Sequence, residues 1–186
     1  MAPPAEIPPP MQPPLQILTP RLLLRKPEAE DAPAIFRSYA GDPEVTRFLT
    51  WLPHVRVDET RAWLLKALAG WETMTTLVWM ITTRSEGEII GAIELRMEQQ
   101  ANLGFVLSRP HWGRGLMTEA VRAVVEWALG TGEIARVWAL CAAENGASAR
   151  VLEKSGLERE ALLRSWMVFP NLAPMPQDCY RYARQA

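Results

Sequence analysis

The sequence predicts a single α/β domain in which helices and strands are mixed along the chain. The chain has 186 residues, the usual size of one domain, and its 48% hydrophobic and 22% charged residues are a normal globular balance. Short segments in which apolar and polar residues alternate predict strands. Between them lie segments with apolar residues three and four positions apart, which predict helices packed on a core.

The N-terminal segment 1–16 reads MAPPAEIPPPMQPPLQ. It is too rich in proline for a helix or a sheet interior, because proline lacks a backbone N–H donor. We expect this segment to be a mobile, polyproline-like tail. The globular domain is then predicted to cover residues 17–186.

The first part of the domain is predicted to contain one strand followed by helices. The strand is centred on Leu22–Leu24, and a helix follows over residues 30–40. Asp42-Pro43 is typical of an N-cap and a first helical residue. Asp58 is predicted to cap a longer helix. The apolar stripe of that longer helix consists of Leu64, Ala67, Leu68 and Trp71.

The second part of the domain is predicted to alternate strands with two further helices. Its first two strands form a hairpin, because a short turn that contains glycine joins them. The predicted order of elements over the whole chain is β-α-α-β-β-β-α-β-α-β-β. The predicted strands are 77–83, 89–96, 102–107, 135–142, 160–169 and 178–183, and the predicted helices lie within 113–129 and 146–155.

Charge and composition exclude several classes of partner. The net charge is -1, so no overall basic field attracts nucleic acid or an anionic membrane. No apolar run is long enough to cross a bilayer, and the N-terminus lacks the pattern of a signal peptide. The two cysteines, Cys141 and Cys179, and the distant His54 and His111 show no metal-ligand spacing. We therefore expect a cytoplasmic protein without a metal, as a monomer or a homodimer.

A glycine-containing loop from Trp112 to Ala120 is the most informative segment. A predicted strand enters it and an amphipathic helix leaves it, so its glycines can direct free N–H groups of a helix N-terminus toward a phosphate. The GxxxxGK[ST] pattern of a P-loop is absent. A dinucleotide-binding GxGxxG begins at Gly113, but Thr118 occupies its third glycine position. An ordinary tight turn and a dinucleotide-binding oxidoreductase stay open as alternatives.

Two motifs in order resemble the GCN5-related N-acetyltransferase (GNAT) superfamily. The segment WGRGLMTEA at 112–120 resembles the acyl-CoA loop of that family, and Asn145-x-x-Ser148 followed by VLEKSGL at 151–157 resembles its second signature. Two further segments also resemble this family: Asp42-Pro43-Glu44-Val45 and Asp178-x-Tyr180. The likeness extends over about residues 17–184. Within that superfamily, the sequence is most similar in these motifs to the branch of ribosomal-protein N-terminal acetyltransferases (RimJ/RimL-like).

The resemblance implies a fold and a cofactor. The GNAT fold has a central, mostly antiparallel mixed sheet that is splayed between its fourth and fifth strands, here 102–107 and 135–142, with about four flanking helices. Acetyl-CoA would lie in that slot, with its pantetheine beside the fourth strand and its pyrophosphate on loop amides. The implied cofactor-binding residues are Val106, Leu107, Gly113, Arg114, Gly115, Leu116, Met117, Thr118, Asn145 and Ser148.

The resemblance also implies candidate catalytic residues for acetyl transfer to an amine. Ser148 is a candidate to protonate the departing sulfur and Asn145 to hold pantetheine or a water, although both also suit a helix cap. Glu94 is the candidate base, with a solvated surface carboxylate as its alternative. Leu152 stands where many members have a tyrosine acid, and Asn102 where branch members often have an acidic residue. A non-catalytic acyl-CoA sensor therefore stays open.

The acceptor is predicted to be a primary amine, either a protein N-terminus or a small molecule. In this family the early helices cover the acceptor site, and in this chain they are rich in aromatic residues. One or two of these side chains are expected to line an acceptor groove, and the others to pack in the core. The aromatic candidates are Phe48, Trp51, Trp63 and Trp71.

Overall fold

The computed structural model describes residues 11–98 and 100–186 as one eight-stranded sheet with helices on both faces. The strands are β1 (Gln16–Leu18), β2 (Leu22–Arg25), β3 (Thr76–Thr83), β4 (Ile89–Met97), β5 (Ala101–Leu107), β6 (Arg136–Ala142), β7 (Glu158–Met167) and β8 (Gln177–Gln185). The α-helices are α1 (Ala32–Ile35), α2 (Pro43–Thr46), α3 (Val57–Thr73), α4 (Leu116–Gly130) and α5 (Gly146–Lys154).

The strand order confirms the predicted sheet. It is β1-β2-β3-β4-β5-β6-β8-β7, and neighbouring strands are antiparallel except for β5 and β6. Those two strands pair only through Ala101 with Val137 and Asn102 with Trp138, and then separate. The sheet is therefore splayed at the predicted place. The opening lies between the carboxyl ends of two parallel strands, where ligands bind in open α/β sheets.

The first predicted elements differ from the structure in detail. The single predicted strand near Leu22 is a hairpin of β1 and β2. The helix predicted over 30–40 is broken, since α1 is followed by a π-helical turn over Phe36–Ala40. The prediction that Asp58 is an N-cap is wrong, because α3 begins at Val57 and Asp58 lies in its first turn. There its negative charge interacts favourably with the helix dipole.

Each face of the sheet has its own core, as the alternation along β3 shows. Leu77, Trp79 and Ile81 are fully buried on the face that α4 covers, together with residues of α4 itself. Val78 and Met80 point to the opposite face and pack with residues of α1 and α3. Two helical layers therefore hold the sheet between them, and any site on the α1–α3 face is built by residues of even number in this strand.

The described chain contacts the sheet ahead of the predicted domain start. The indole N–H of the buried Trp79 donates to the carbonyl of Pro14 at 2.9 Å, and the N–H of Lys26 donates to the carbonyl of Leu15 at 2.8 Å. Met11 packs against the main core. Packed chain thus extends at least to Met11, and residues 1–10 of the predicted tail lie outside the described part. The division at residue 16 stays a prediction.

The described part of the chain contains neither a candidate membrane-spanning helix nor a candidate metal site. In residues 11–98 and 100–186 no helix has both the length and the apolar character that crossing a membrane requires. In the same ranges no three His, Cys, Asp or Glu side chains come together as a metal site would need.

Candidate active site

The loop between β5 and α4 has the backbone of an anion-binding site. Gly113 and Gly115 have positive φ angles of 71° and 72°, which glycine adopts without strain. Gly115 is the N-cap of α4, a helix of 15 residues. Among the described residues, none accepts a hydrogen bond from the backbone N–H groups of 113–118. These free donors at a helix N-terminus favour a phosphate.

A partly buried carboxylate ties this loop to the β1–β2 turn. Glu119 accepts hydrogen bonds from the hydroxyl of Thr19 at 2.6 Å and from the Nε of Arg21 at 2.6 Å. The same guanidinium donates to the carbonyl of Arg114 at 2.9 Å. Burial raises the pKa of Glu119, but the hydrogen bonds from Thr19 and Arg21 outweigh it and hold the pKa below its ordinary value. Glu119 therefore anchors the loop as a carboxylate.

The free edge of β5 presents backbone groups to the opening. The N–H of Ser108 donates to the carbonyl of Ile90 on β4 at 2.7 Å, so alternation turns the backbone of Val106 toward β4 as well. Leu107 therefore faces the opening, and its carbonyl accepts from the indole of Trp112 at 2.6 Å. Of the two strand residues predicted to bind pantetheine, Leu107 is the one whose N–H is directed into the slot.

On the other side of the opening, Asn145 and Ser148 form one hydrogen-bonded unit. The Oδ1 of Asn145 accepts from the backbone N–H of Ser148 at 3.1 Å, which caps α5. The amide nitrogen of Asn145 donates to the Ser148 hydroxyl oxygen at 2.9 Å. Because that oxygen acts as an acceptor, and no described residue accepts from the hydroxyl, its proton is free to be donated into the opening.

A cavity of about 650 Å³ extends from the opening to the α1–α3 face of the sheet. Ser148, Asn145 and Glu94, the three predicted catalytic residues, all line it. The predicted phosphate loop 113–118 does not line it, and the helix α4 that follows this loop packs on the opposite face of the sheet. The structure therefore has two distinct sites, the backbone anion site of the loop 113–118 and the cavity lined by side chains. The split between β5 and β6 lies between these two sites.

Glu94 belongs to a polar network in the cavity wall. It is ion-paired with Arg96, whose Nη1 donates to the side-chain oxygen of the buried Asn102 at 2.7 Å. A Cβ on the neighbouring Gly104 would lie 2.9 Å from the Glu94 carboxylate, so a larger residue there would require the flexible end of Glu94 to shift. Asn102, found where an acid is common in the family, thus helps to hold the arginine that faces Glu94.

The far end of the cavity is aromatic. Phe48, Trp51 and Trp63 line it, whereas Trp71 packs in the core against Trp79 at 5.3 Å between ring centroids. The amide nitrogen of Asn171, in the β7–β8 connection, donates to the carbonyls of both Thr46 and Trp51 at 2.8 Å. This amide holds the loop 46–51 over the cavity.

Two further positions near the opening supply no catalytic acid or nucleophile. Leu152 is 1% exposed and packs in the core, so no acid acts from that position. Burial, with the nearby Cys179 and Glu153, raises the pKa of Cys141 to about 12, which keeps this thiol protonated. The roles of Arg96 and Asn171 were not predicted from the sequence. Arg96 contacts Asn102 on the neighbouring strand, and Asn171 contacts the carbonyls of Thr46 and Trp51, which are distant in sequence.

Solved structures of acetyltransferases share this fold. An acetyltransferase of the GNAT family from Bacillus anthracis superposes with a TM-score of 0.80 at 24% identity, over 91% of this chain and 98% of that chain. The microcin C7 self-immunity acetyltransferase MccE, solved with acetyl-CoA and AMP, gives 0.82 at 15% identity, over 90% and 94% of the two chains. RimL, an acetyltransferase of ribosomal protein L7/L12 solved with CoA, gives 0.81 at 21%, over 90% and 95%.

Sequence comparison defines the family. The profile of the acetyltransferase (GNAT) domain matches residues 21–158. The N-acetyltransferase p20 of Bacillus licheniformis, uncharacterised, is 30% identical over 81% of this chain and 86% of its own length. The uncharacterised N-acetyltransferase YoaA of Bacillus subtilis (strain 168) is 28% identical over 87% and 93%. The chain therefore belongs to the GNAT acetyltransferase domain family.

Family and topology together remove the dinucleotide-binding alternative. A Rossmann domain needs a mostly parallel sheet with its glycine loop after the first strand. In this sheet β5 and β6 form the one parallel pair among the described strands, and the loop follows β5. The glycine loop is therefore not a nicotinamide-binding fingerprint.

Proposed function

We propose that the protein transfers the acetyl group of acetyl-CoA to a primary amine by direct attack within a ternary complex. The observation that carries this proposal is that Ser148, Asn145 and Glu94 line one cavity, which opens at the split between β5 and β6. The amine nitrogen forms a bond to the thioester carbon, the carbon–sulfur bond breaks, and CoA leaves as a thiolate. The amine loses one proton and the sulfur gains one.

The donor is held mainly by backbone. The pyrophosphate of acetyl-CoA would take the free amides of residues 113–118, and its pantetheine would run beside β5 at Leu107. An N–H at this strand edge polarises the thioester carbonyl as an oxyanion donor does. Solved neighbours that contain acetyl-CoA or CoA support this choice of donor.

Proton transfer is assigned to the side chains of the cavity. The Ser148 hydroxyl, which accepts from Asn145, donates its proton to the sulfur as negative charge develops there. Glu94 takes the proton of the amine, through a water where the acceptor does not reach it. Holding both reactants in one cavity contributes much of the rate, since ordered reactants lower the barrier by roughly 7–11 kcal/mol.

The acceptor is proposed to be an amine attached to an apolar body, such as a peptide N-terminus or a small molecule. Phe48, Trp51 and Trp63 supply the apolar wall. We place the chain beside the RimJ/RimL-like branch, supported by the likeness to RimL. That neighbour acts on a ribosomal protein, so peptide N-termini belong in any acceptor panel.

The proposal is tested with purified protein, acetyl-CoA and a panel of amines and short peptides. We expect time-dependent release of free CoA thiol with at least one acceptor, and mass spectrometry of that acceptor should show a single acetyl group. Glu94→Gln should lower kcat while the acetyl-CoA-induced rise in melting temperature is kept. A protein that binds acetyl-CoA but acetylates no amine would instead be a sensor.

A further inference from the structure

The guanidinium of Arg96 lies in the floor of the cavity beside Glu94. Along β4, Ile93 and Leu95 are buried in the core on the α4 face. Alternation therefore directs the side chains of Ala92, Glu94 and Arg96 to the opposite face, and all three residues line the cavity. The side chain of Glu94 is 23% exposed and that of Arg96 is 46% exposed. A molecule in the cavity can therefore reach both charged groups.

The contacts of this guanidinium leave most of its donors free. Its Nη1 donates to the Oδ1 of Asn102 at 2.7 Å, and its Nη2 is ion-paired with Glu94. A guanidinium has five N–H donors in a planar fork, and no other described group accepts from that of Arg96. Since each contact uses one donor, three remain on a side chain that is nearly half exposed. Planar donors of this kind recognise a carboxylate, which accepts two of them at once.

The residue opposite Arg96 holds it without neutralising it. In the register of β4 and β5, Arg96 is paired with Asn102, which is 7% exposed. An aspartate at this buried position would neutralise the guanidinium, whereas the amide oxygen of Asn102 fixes its orientation and carries no charge. Among the described residues, Glu94 is the only carboxylate paired with Arg96. When Glu94 binds another cation, the charge of Arg96 is therefore left for an anionic group of the bound molecule.

The charge balance of the cavity favours an acceptor that carries both signs. Among the described residues, the charged side chains that line it belong to Lys66, Glu94, Arg96 and Glu98, so the two signs are equal in number. Burial lowers the pKa of His54, which also lines the cavity, so this imidazole is neutral at neutral pH. An ammonium group paired with Glu94 would lie next to the guanidinium of Arg96, and the two cations repel each other. A carboxylate on the same acceptor removes this repulsion, because it pairs with the free donors of Arg96.

We propose that Arg96 binds the carboxylate of an acceptor whose amine pairs with Glu94, and that this acceptor is a free α-amino acid with an apolar side chain. The inference rests on the proposed acetyl transfer and narrows its acceptor. In an α-amino acid one carbon separates the ammonium group from the carboxylate, so the two groups are adjacent, as Glu94 and Arg96 are. The apolar side chain would lie against the aromatic end of the cavity, formed by Phe48, Trp51 and Trp63.

The chemistry of the transfer is unchanged by this acceptor. The nitrogen gains the acetyl group and loses a proton, CoA leaves as a thiol, and the carboxylate stays intact, so the product is an N-acetyl amino acid. In a peptide, the carboxylate next to the N-terminal amine is replaced by an amide, which cannot form an ion pair with Arg96. Peptide N-termini are therefore predicted to be poorer acceptors than the corresponding free amino acids.

The test compares free amino acids with their amides in wild type and in Arg96→Gln. Phenylalanine, tryptophan, leucine and methionine each differ from the amide in charge and hardly in shape. Because the amide has the more acidic ammonium group, the ratio of kcat/KM for acid over amide is compared between the two enzymes. We expect Arg96→Gln to lower this ratio at least about tenfold, mainly through the KM of the acid. Asn102→Asp keeps the shape of the side chain and supplies a competing carboxylate, so it should lower the ratio by a smaller factor.

Arg61→Gln is the matched control. Arg61 is also ion-paired and its side chain is 55% exposed, but its partner is Asp58 and it does not line the cavity. This variant should keep the wild-type ratio, and all three variants should keep the acetyl-CoA-induced rise in melting temperature. If Arg96→Gln lowers kcat/KM equally for acid and amide, or if wild type acetylates other amines but none of these amino acids, the assignment of Arg96 is wrong while acetyl transfer stands. If wild type acetylates no amine at all, the proposed function fails and the assignment fails with it.

Discussion

The two ends of the site are built by different means. In terms of the proposed reaction, we call the loop 113–118 and the N-terminus of α5 the donor side, and Tyr39, Glu94 and the loop 48–54 the acceptor side. The donor side presents backbone N–H groups at two helix N-termini, and its geometry depends on glycines with positive φ. The acceptor side presents side chains contributed by separate segments of the chain.

This difference separates what is general in the site from what is particular. Backbone amides recognise a phosphate whatever side chains surround them, so a donor side of this kind serves any acyl-CoA enzyme of the fold. The acceptor side depends on the identity of each side chain, and one substitution there changes the substrate without changing the fold. We therefore expect donor-side variants to affect cofactor binding and acceptor-side variants to affect selectivity.

The largest expected effect is that of Gly115→Glu on the donor side. Its φ of 72° is unfavourable for any side chain, and the new carboxylate would face the pyrophosphate. We expect the affinity for acetyl-CoA to fall by roughly 100-fold or more, measured by titration calorimetry. The ligand-induced rise in melting temperature should disappear with it.

Gly132→Glu is the matched control for backbone strain. Gly132 has a φ of 74° and open space around its Cα, but it follows the C-terminus of α4. We expect a comparable loss of stability with normal affinity for acetyl-CoA. Equal affinities of the Gly115→Glu variant and wild type would show that phosphate binds elsewhere.

The same contrast explains how much the sequence predicts. The donor side is contiguous: Gly113, Gly115 and the Asn145–Ser148 pair stand within short motifs, and the sheet that carries them has regular alternation. The acceptor side brings residues 39, 94 and the loop 48–54 around one cavity, and nothing in the spacing of these residues predicts that arrangement. The π-helical turn at Phe36–Ala40 was missed because its apolar pattern differs little from that of a regular helix.

Ser148→Ala tests whether the donor side also supplies an acid. The hydroxyl interaction with sulfur belongs to the transition state, so kcat should fall by roughly 100-fold with little change in the KM for acetyl-CoA. Single-turnover rates should fall equally, which would show that chemistry is affected. The melting temperature should change little, because the side chain that caps α5 is that of Asn145.

Asn145→Ala supplies the opposite pattern. It removes the cap of α5, which costs about 0.5–2 kcal/mol of stability, while the Ser148 hydroxyl remains. We expect a lower melting temperature and a smaller loss of kcat than in Ser148→Ala. If Ser148→Ala melts earlier yet turns over normally, the serine is structural and the sulfur takes its proton from another group.

The smallest expected effect is that of Glu119→Gln, and it depends on pH. Glu119 holds the donor loop through Thr19 and Arg21, and its folded-state pKa lies below its ordinary value. Its stabilising contribution is therefore fully present above the unfolded-state pKa and is lost as pH falls through the folded-state pKa. At neutral pH we expect the variant to be less stable by about 1 kcal/mol, since Arg21 is half-exposed.

Urea unfolding of wild type and Glu119→Gln over a series of pH values measures this dependence. The two stabilities should converge only in acid below the folded-state pKa of Glu119, which is itself lower than the ordinary carboxyl pKa, because both side chains are then neutral. Glu72→Gln is the control, since Glu72 pairs with Lys26 but its side chain is 76% exposed, and its loss should matter little at any pH. Acetyl-CoA affinity should fall a few-fold in Glu119→Gln alone, because the guanidinium of Arg21 also holds the carbonyl of Arg114. A stability difference that persists in acid would mean that shape, and not charge, makes Glu119 the anchor of the loop.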